Sequence, residues 1–572
     1  MPQRPASIVY GLTDRPPIWI TVFLAFQHVC IVAISLILPV VVVQEAGSTI
    51  ANPTLAAAGL VSCSMLAGAV GCVAQVLSRG PVGSGYLCPQ LCGPSFLSAS
   101  IMAAKTGGLS LVLGMNLVAG AIEAVFGSFM RRLRTLFPAE VTGVIVTMVG
   151  VTVTRFTVPR FLGVSTPNGA PDGHAVLVSV FTLAVMVGLN VWSRGKLKLF
   201  GALIGMTAGY LLAWAFGLLD PEAVRHIRET PLFWFPLAHH PGWTFSAAMI
   251  IPCVVATLCS TLKTVGDLTT CQRINDASWT QPDMKNISKG IIADAAGCLA
   301  AGLIGGHGQS SSSTNIGLAI ATGVTSRIIA WVTAILLAIL AFVPKVASVF
   351  VAMPAPVMGA VLLFALSFMV VAGLQIITSR MMDTRKTFVV GIPIVFGIGV
   401  DIFPHVFENL HPVIYPIFSS SLSASAVLAV VLNLIFRIGI ARKATLDARV
   451  GQDMADSIFK FMEHQGSLWG ARHDVINNVT AAMTEFMEAA PYLCADGGVH
   501  FEVSFDEFNI EARIRYKGKP LEISGRMPDK EEMFSDPGAP ARLAGYLMRH
   551  YADKITTHSA GDEQTLTLRF VH

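Results

Sequence analysis

Gly305-Gly306-His307-Gly308-Gln309-Ser310-Ser311-Ser312-Ser313 is an irregular polar stretch, and the apolar segment that follows it, residues 314 to 322, is too short to cross a bilayer. A membrane-spanning helix needs about 20 apolar residues, so this segment is half a helix. The first half of the chain repeats the arrangement: Gly83 to Pro94, rich in Gly, Ser, Pro and Cys, leads into a short apolar segment at 93 to 105. Irregular backbone at membrane depth is tolerated only where protein buries it or a cavity borders it. The two interruptions therefore mark one site, expected between residues 83 to 97 and 305 to 317.

The rest of the sequence sets these segments in a membrane. The 572 residues are 53% hydrophobic and 13% charged, against about 25% charged in a soluble domain, which excludes a soluble enzyme. The deficit is uneven, because nearly half of the charged residues lie beyond residue 440. The net charge of +4 averages a basic first part with an acidic second part and argues nothing for nucleic acid. Apolar runs of spanning length lie near 18 to 42, 55 to 77, 110 to 130, 138 to 154, 175 to 192, 199 to 217, 246 to 262, 290 to 304, 326 to 349, 356 to 377, 387 to 403 and 421 to 440.

With the two short segments these runs predict an α-helical polytopic membrane protein of about 14 transmembrane segments, the short ones third in each set of seven. Matching interruptions in two halves point to a 7+7 inverted repeat with its site at the repeat interface. Cations such as Arg131, Arg132, Arg134, Arg194, Lys196, Lys198, Arg385 and Lys386 outnumber Lys105, Arg155, Arg160, Arg225, Arg228 and Lys345 on the other side, which places both termini in the cytoplasm. The expected domains are a cytoplasmic N-terminal tail (1–17), a transporter domain (18–440) and a cytoplasmic α/β domain (441–572).

Polar residues inside the apolar runs are the candidates for chemistry. A helix starting near Ser313, Thr314, Asn315 and Gly317 would point free N–H groups and its positive end at the midplane, which suits a polar or anionic small molecule. The same side chains also make an ordinary N-cap. The eighth segment ends in Ser260, Thr261, Lys263, Thr264, Gly266 and Asp267. Lys263 and Asp267, four apart, share a helix face; they are either an intramembrane functional pair or an exposed salt bridge beyond the membrane. Gln27 and His28 fall near mid-membrane in the first span, as ligands, a proton relay or a tie between helices. Phe96 either stacks on a flat ring or packs in the core. The ten cysteines have no zinc spacing, and Cys88 and Cys92 read as packing residues.

Taken in order, Gln27-His28, Pro94-Ser95-Phe96, Val265-Gly266-Asp267, Lys289-Gly290-Ile291 with Ala293-Asp294, and Asn315, Gly317 and Thr322 followed by Ser326-Arg327 resemble the motifs of the nucleobase–ascorbate transporters. That family includes the bacterial uracil and xanthine permeases, and the resemblance covers residues 18 to 440. It implies core and gate domains, a homodimer in the inner membrane, and elevator-type secondary transport of a nucleobase-like substrate, a purine such as xanthine or urate. Transport would be coupled to protons or sodium, with no other cofactor, no metal and no enzymatic activity. The implied substrate-binding residues are Phe96, Lys263, Ser313, Thr314, Asn315, Gly317, His28 and Gln27, and the ion-coupling residues are Asp267 and His28.

Two positions depart from the family pattern. Lys263 and Thr314 stand where these transporters typically carry a base-reading Glu, and a Glu or Gln. An ammonium only donates hydrogen bonds, so a Lys263 facing the site favours an anionic substrate. The alternative is a transporter-like membrane sensor that binds an anionic ligand and signals through its C-terminal domain.

Residues 441–572 predict helices near 452 to 464 and 470 to 489, a strand in which Phe508, Ile510, Ala512, Ile514 and Tyr516 alternate with polar residues, a helix near 538 to 552 and a strand over 565 to 570. This order resembles the ATPase fold of anti-sigma factors and histidine kinases. Tyr516-Lys517-Gly518-Lys519-Pro520 stands in place of their nucleotide motif, and Asn477-Asn478 is a poor version of their helix motif, so a regulatory or dimer-stabilising module without ATPase activity is expected.

Overall fold

The apolar runs fold as helices, and the Gly- and Ser-rich interruptions fold as strands between them. The computed structural model describes residues 4–571 apart from 51, 134–137, 165–168, 194–199, 237–239, 278, 280–281, 379–381, 408–409, 411–414, 419, 437, 439–442, 451–453, 506–508, 524–525, 529–535 and 537. Arg134, Arg194, Lys196, Lys198 and Phe508 lie outside the described residues. In chain order the membrane part contains α1 (Ile18–Ser35), α2 (Ile37–Ala46), α3 (Pro53–Val76), β1 (Gln90–Cys92), α4 (Leu97–Leu133), α5 (Ala139–Leu162), α6 (Gly173–Trp192), α7 (Gly201–Ala215), α8 (Pro221–Glu229), α9 (Ile250–Asn275), α10 (Met284–Ile304), β2 (Gln309–Ser311), α11 (Ser313–Thr322), α12 (Arg327–Ala341), α13 (Pro344–Val351), α14 (Ala355–Thr378), α15 (Thr384–Ile402) and α16 (Ser421–Phe436).

Among the described residues 8 helices are long and apolar enough to cross a membrane, and α12 with α13, bent by 80°, makes a ninth if the pair is one span. The chain divides into two compact units. The first is Met1–Phe137, Thr142–Leu374 and Ile392–Ala429; the second is Pro138–Val141, Gln375–Gly391 and Val430–His572.

In the first unit the two interruptions meet. β1 and β2 pair antiparallel, Gln90 with Ser311, Leu91 with Ser310 and Cys92 with Gln309, and the Gly93 N–H extends the ladder to the Gly308 carbonyl at 2.8 Å. The ladder satisfies backbone groups that a hydrocarbon environment would leave bare. After β1, α4 breaks at Gly107 and Gly108, the latter with φ 68°, a left-handed conformation open to glycine. One helical run is thus a half-helix, 97–106, followed by a longer helix from 109. Two glycines hold the ladder from outside: a Cβ at Gly71 on α3 or at Gly297 on α10 would stand 1.8 Å from the Gln90 side-chain oxygen.

The N-terminal segment is docked on this unit. Tyr10 forms a parallel bridge with Val324, and its carbonyl accepts the Thr325 N–H at 2.9 Å. The Val9 N–H reaches the Gly323 carbonyl at 2.7 Å, at the C-terminal end of α11.

The second unit is built on an antiparallel sheet in the order β3-β4-β5-β7-β6, with β3 (Lys443–Arg449), β4 (Cys494–Phe505), β5 (Asn509–Gly518), β6 (Lys554–Ala560) and β7 (Glu563–Val571). Helices α17 (Ala455–Trp469), α18 (His473–Leu493) and α19 (Ala539–Tyr551) contribute Met462, Phe486 and Met548 to a core shared with Phe501, Ile514, Leu568 and Phe570. The sequence reading of two helices, a strand, a helix and a strand omits β3, β4 and β6. β6 is an edge strand whose side chains are mostly exposed and carries no alternation to read, whereas β3 alternates Lys443, Thr445, Asp447 and Arg449 with the less exposed Ala444, Leu446 and Ala448, and β4 buries Val499, Phe501 and Val503, a signal the sequence reading passed over. Within this unit Arg385 donates to the carbonyls of Leu468 at 3.0 Å and Phe436 at 3.3 Å. Lys386, 1% exposed, pairs with Glu140 at 3.4 Å, so this cation is buried and does not lie in a solvated loop.

Candidate functional site

Three elements of the first unit converge on the ladder. Lys263, Thr264 and Asp267 lie on one side of α9, facing β2. Asp267 accepts hydrogen bonds from the Ser311 and Ser313 hydroxyls, both at 2.6 Å, and from Lys263 Nζ at 3.3 Å. The ammonium also donates to the Ser311 carbonyl. The Lys263 and Asp267 side chains are 12% and 8% exposed, so the pair is buried in protein and is not an exposed salt bridge.

Behind it Asp294, from α10, accepts from Thr264 Oγ1 at 2.5 Å, the Ser311 N–H at 2.9 Å, Gln90 Nε2 at 2.9 Å and Gln75 Nε2 at 3.4 Å. One serine of β2 is thereby bonded to both carboxylates. With two of its three donors engaged and its charge matched by Asp267, Lys263 is a held donor; it does not stand as a bare positive charge.

The second contact joins α1 to α11. His28 Nδ1 lies 2.7 Å from Asn315 Oδ1, and since that oxygen only accepts, Nδ1 carries the proton. Asn315 Nδ2 donates to Ser312 Oγ at 3.0 Å, and the Asn315 N–H caps on the same oxygen at 3.2 Å. Ser312 is the N-cap of α11, one residue before the candidates named from the sequence, and Asn315 reaches His28. Gln27 is 1% exposed, and neither atom of its amide has a partner among the described residues.

Ser313, Thr314 and Gly317 are exposed, as is Gly266 on α9. A Cβ at Gly266 or Gly317 would meet nothing within 4 Å, so this is the side on which the site opens. Phe96 is 2% exposed. Its ring packs over the strand crossing, where a Cβ at Gly93 or Gly308 would come within 2.8 Å of it.

The structure thus brings Lys263, Asp267 and Ser313 together, sets His28 and Asn315 as a second pair, and leaves Thr314 and Gly317 on the open side. Sequence reasoning missed Asp294, Gln90, Thr264 and Ser311 as one network. A single signal was available: Asp294 is the one charged residue in the apolar run 290 to 304, and such residues are expensive in a membrane.

A sequence model of the permease family matches residues 20–406, from α1 through α15. The chain belongs to the permease family. This permease is 28% identical over 432 residues to a putative purine permease of Clostridium perfringens, covering 75% of this chain and 93% of that one. It is 27% identical over 446 residues to the xanthine permease XanP of Escherichia coli K12, covering 75% and 95%, and 28% identical over 455 residues to XanQ of the same strain, covering 77% and 96%. Among solved structures, the murine solute carrier 26 family member A9 anion transporter, in its inward-facing state, shares the fold with a TM-score of 0.51 at 10% identity, covering 77% of this chain and 72% of that one. The permease is therefore a multi-pass membrane transporter and not an enzyme. The family model covers the membrane part and ends before the sheet domain.

Proposed function

We propose that the permease carries an oxidised purine, xanthine or urate, across the inner membrane, and that Lys263 recognises the substrate's oxygens. The observation that carries this reading is the buried Lys263–Asp267 pair at the foot of α11. A held ammonium donates to ring carbonyls or to an oxopurine anion and offers nothing to the donor edge of adenine. The kinship with xanthine permeases points to the same substrate class. The neutralising contact with Asp267 makes acceptor-rich character, not net charge, the property selected.

The proposal includes 14 segments in a 7+7 inverted repeat with core and gate domains, moving in elevator fashion and coupled to protons or sodium, and a homodimer with cytoplasmic termini. The antiparallel β1–β2 pairing, one strand from each half of the chain, supports the repeat. The sheet domain is proposed as a regulatory or dimer-stabilising module.

Reconstituted full-length protein tests the reading. Labelled xanthine should enter liposomes, with urate competing and adenine and uracil failing to compete. Lys263→Glu should weaken xanthine binding by about tenfold or more, since a hydrogen bond to a charged group contributes about 1.5–3 kcal/mol. Competition by adenine equal to that by urate overturns the Lys263 assignment, and binding without flux favours the sensor reading.

A further inference from the structure

One carboxyl of the first unit takes no part in the network above. Glu123 lies on the longer part of α4 and is 0% exposed, and among the described residues neither of its oxygens has a hydrogen-bond partner. On either side of it α4 touches α10: a Cβ at Gly120 would stand 2.7 Å from Leu299, and one at Gly127 3.1 Å from Ile291. The groups facing it are Ser260 and Thr261 on α9 and Cys298 and Asp294 on α10, with Cys253 on α9 the other titratable neighbour. Among the described residues the Ser260 hydroxyl is also buried and without a partner, as is that of Thr257 on the preceding turn.

Two neighbouring carboxyls therefore stand in opposite surroundings. Asp294 accepts hydrogen bonds from four donors, while among the described residues neither oxygen of Glu123 has a hydrogen-bond partner. A bare carboxylate at Glu123 would meet both the cost of burial and the charge on Asp294. When two carboxyls share a site in unequal environments, the proton belongs to the one without donors. Asp267 accepts from two serine hydroxyls and from Lys263, so both of its oxygens are already engaged and it is a poor carrier. Thiols from Cys298 and Cys253 are poor ligands for a hard cation, which favours a proton over sodium.

We propose that Glu123 is the proton-carrying residue of the permease. In the closed packing of α4 against α9 and α10 it is the neutral acid, with its O–H directed at Ser260. It releases that proton when transport loosens the packing on one side and takes one up on the other, so one proton is bound and one released in each cycle.

The proposal rests on the transport reading, and two measurements separate their failures. In proteoliposomes with an inward proton gradient, wild type should accumulate xanthine. Glu123→Gln, a neutral isostere, should still bind and exchange xanthine but lose all gradient-driven accumulation. Accumulation by Glu123→Gln equal to wild type overturns the proposal, as does wild-type accumulation driven by sodium alone. The second measurement needs no substrate: infrared difference spectra of purified protein at neutral pH should show a protonated carboxylic-acid band in wild type that is missing in Glu123→Gln. Absence of that difference overturns the proposal even if xanthine is not the substrate, and its presence upholds a protonated Glu123 while the transport reading alone fails. Should Glu123→Gln not fold, Glu123→Asp must shift both the band and the pH of half-maximal accumulation, and unmoved values overturn the proposal.

Discussion

Asp294 shows how much one side chain can organise. Its two oxygens collect donors from α3, from β1, from α9 and from the backbone of β2, so the carboxylate sets the distance between the strand crossing and the helix that carries Lys263. Asp294→Ala leaves Thr264 Oγ1 and the Ser311 N–H without this acceptor in a buried setting. Removing one partner from a buried charged network costs about 3–5 kcal/mol, so thermal unfolding in detergent should show a large drop for Asp294→Ala. Asp294→Asn, which keeps one oxygen acceptor, should lose less. An Asp294→Ala protein as stable as wild type would show that the network carries no weight. Glu123, also on an apolar helix, lacks donors, and the contrast between two acids of similar depth is visible only when their neighbours are in place.

At the scale of elements, the ladder depends on what its neighbours leave out. Gly71 and Gly297 allow α3 and α10 to close on Gln90, whose amide nitrogen bonds Asp294 and the Ala293 carbonyl at 2.9 Å. Gly297→Ala forces that amide away and should cost about 1–3 kcal/mol of stability, the usual range for overpacking. Substrate affinity should fall with it, and shortening the side chain with Gln90→Ser should restore stability without restoring affinity; unfolding and binding measured on the double variant check this.

The two interruptions were legible in the sequence because Gly and Ser clusters break an apolar run whatever they pack against. Their pairing register was not, since β1 and β2 are strands of three residues with no alternation. Lys263 and Asp267 stood out as charges in a charge-poor run, whereas their bonds to Ser311 and Ser313 depend on residues that look like any cap. The half-buried strand β5 could be read from Ile510, Ala512, Ile514 and Tyr516, all buried; the exposed edge strand β6 could not.

At the scale of the whole molecule, the step in charge near residue 440 locates the sheet domain, and the second unit also takes in the ends of α5, α14, α15 and α16, with Arg385 bonded to Leu468 inside it. Charge density marks where the solvent changes, while packing marks what moves together, and the two need not coincide. The strand crossing has a further consequence, for the order of synthesis. Cys92 sits opposite Gln309 in the ladder, so a chain still on the ribosome has nothing to close β1 until the residues of β2 emerge. A nascent chain stalled before residue 309 should leave Cys92 open to a small thiol reagent, whereas the finished protein, where Cys92 is 1% exposed, should protect it. Equal protection in both would mean that another segment shelters β1 in the interim. The site would then form only after the second interruption has emerged, and a product truncated before residue 309 would lack it altogether.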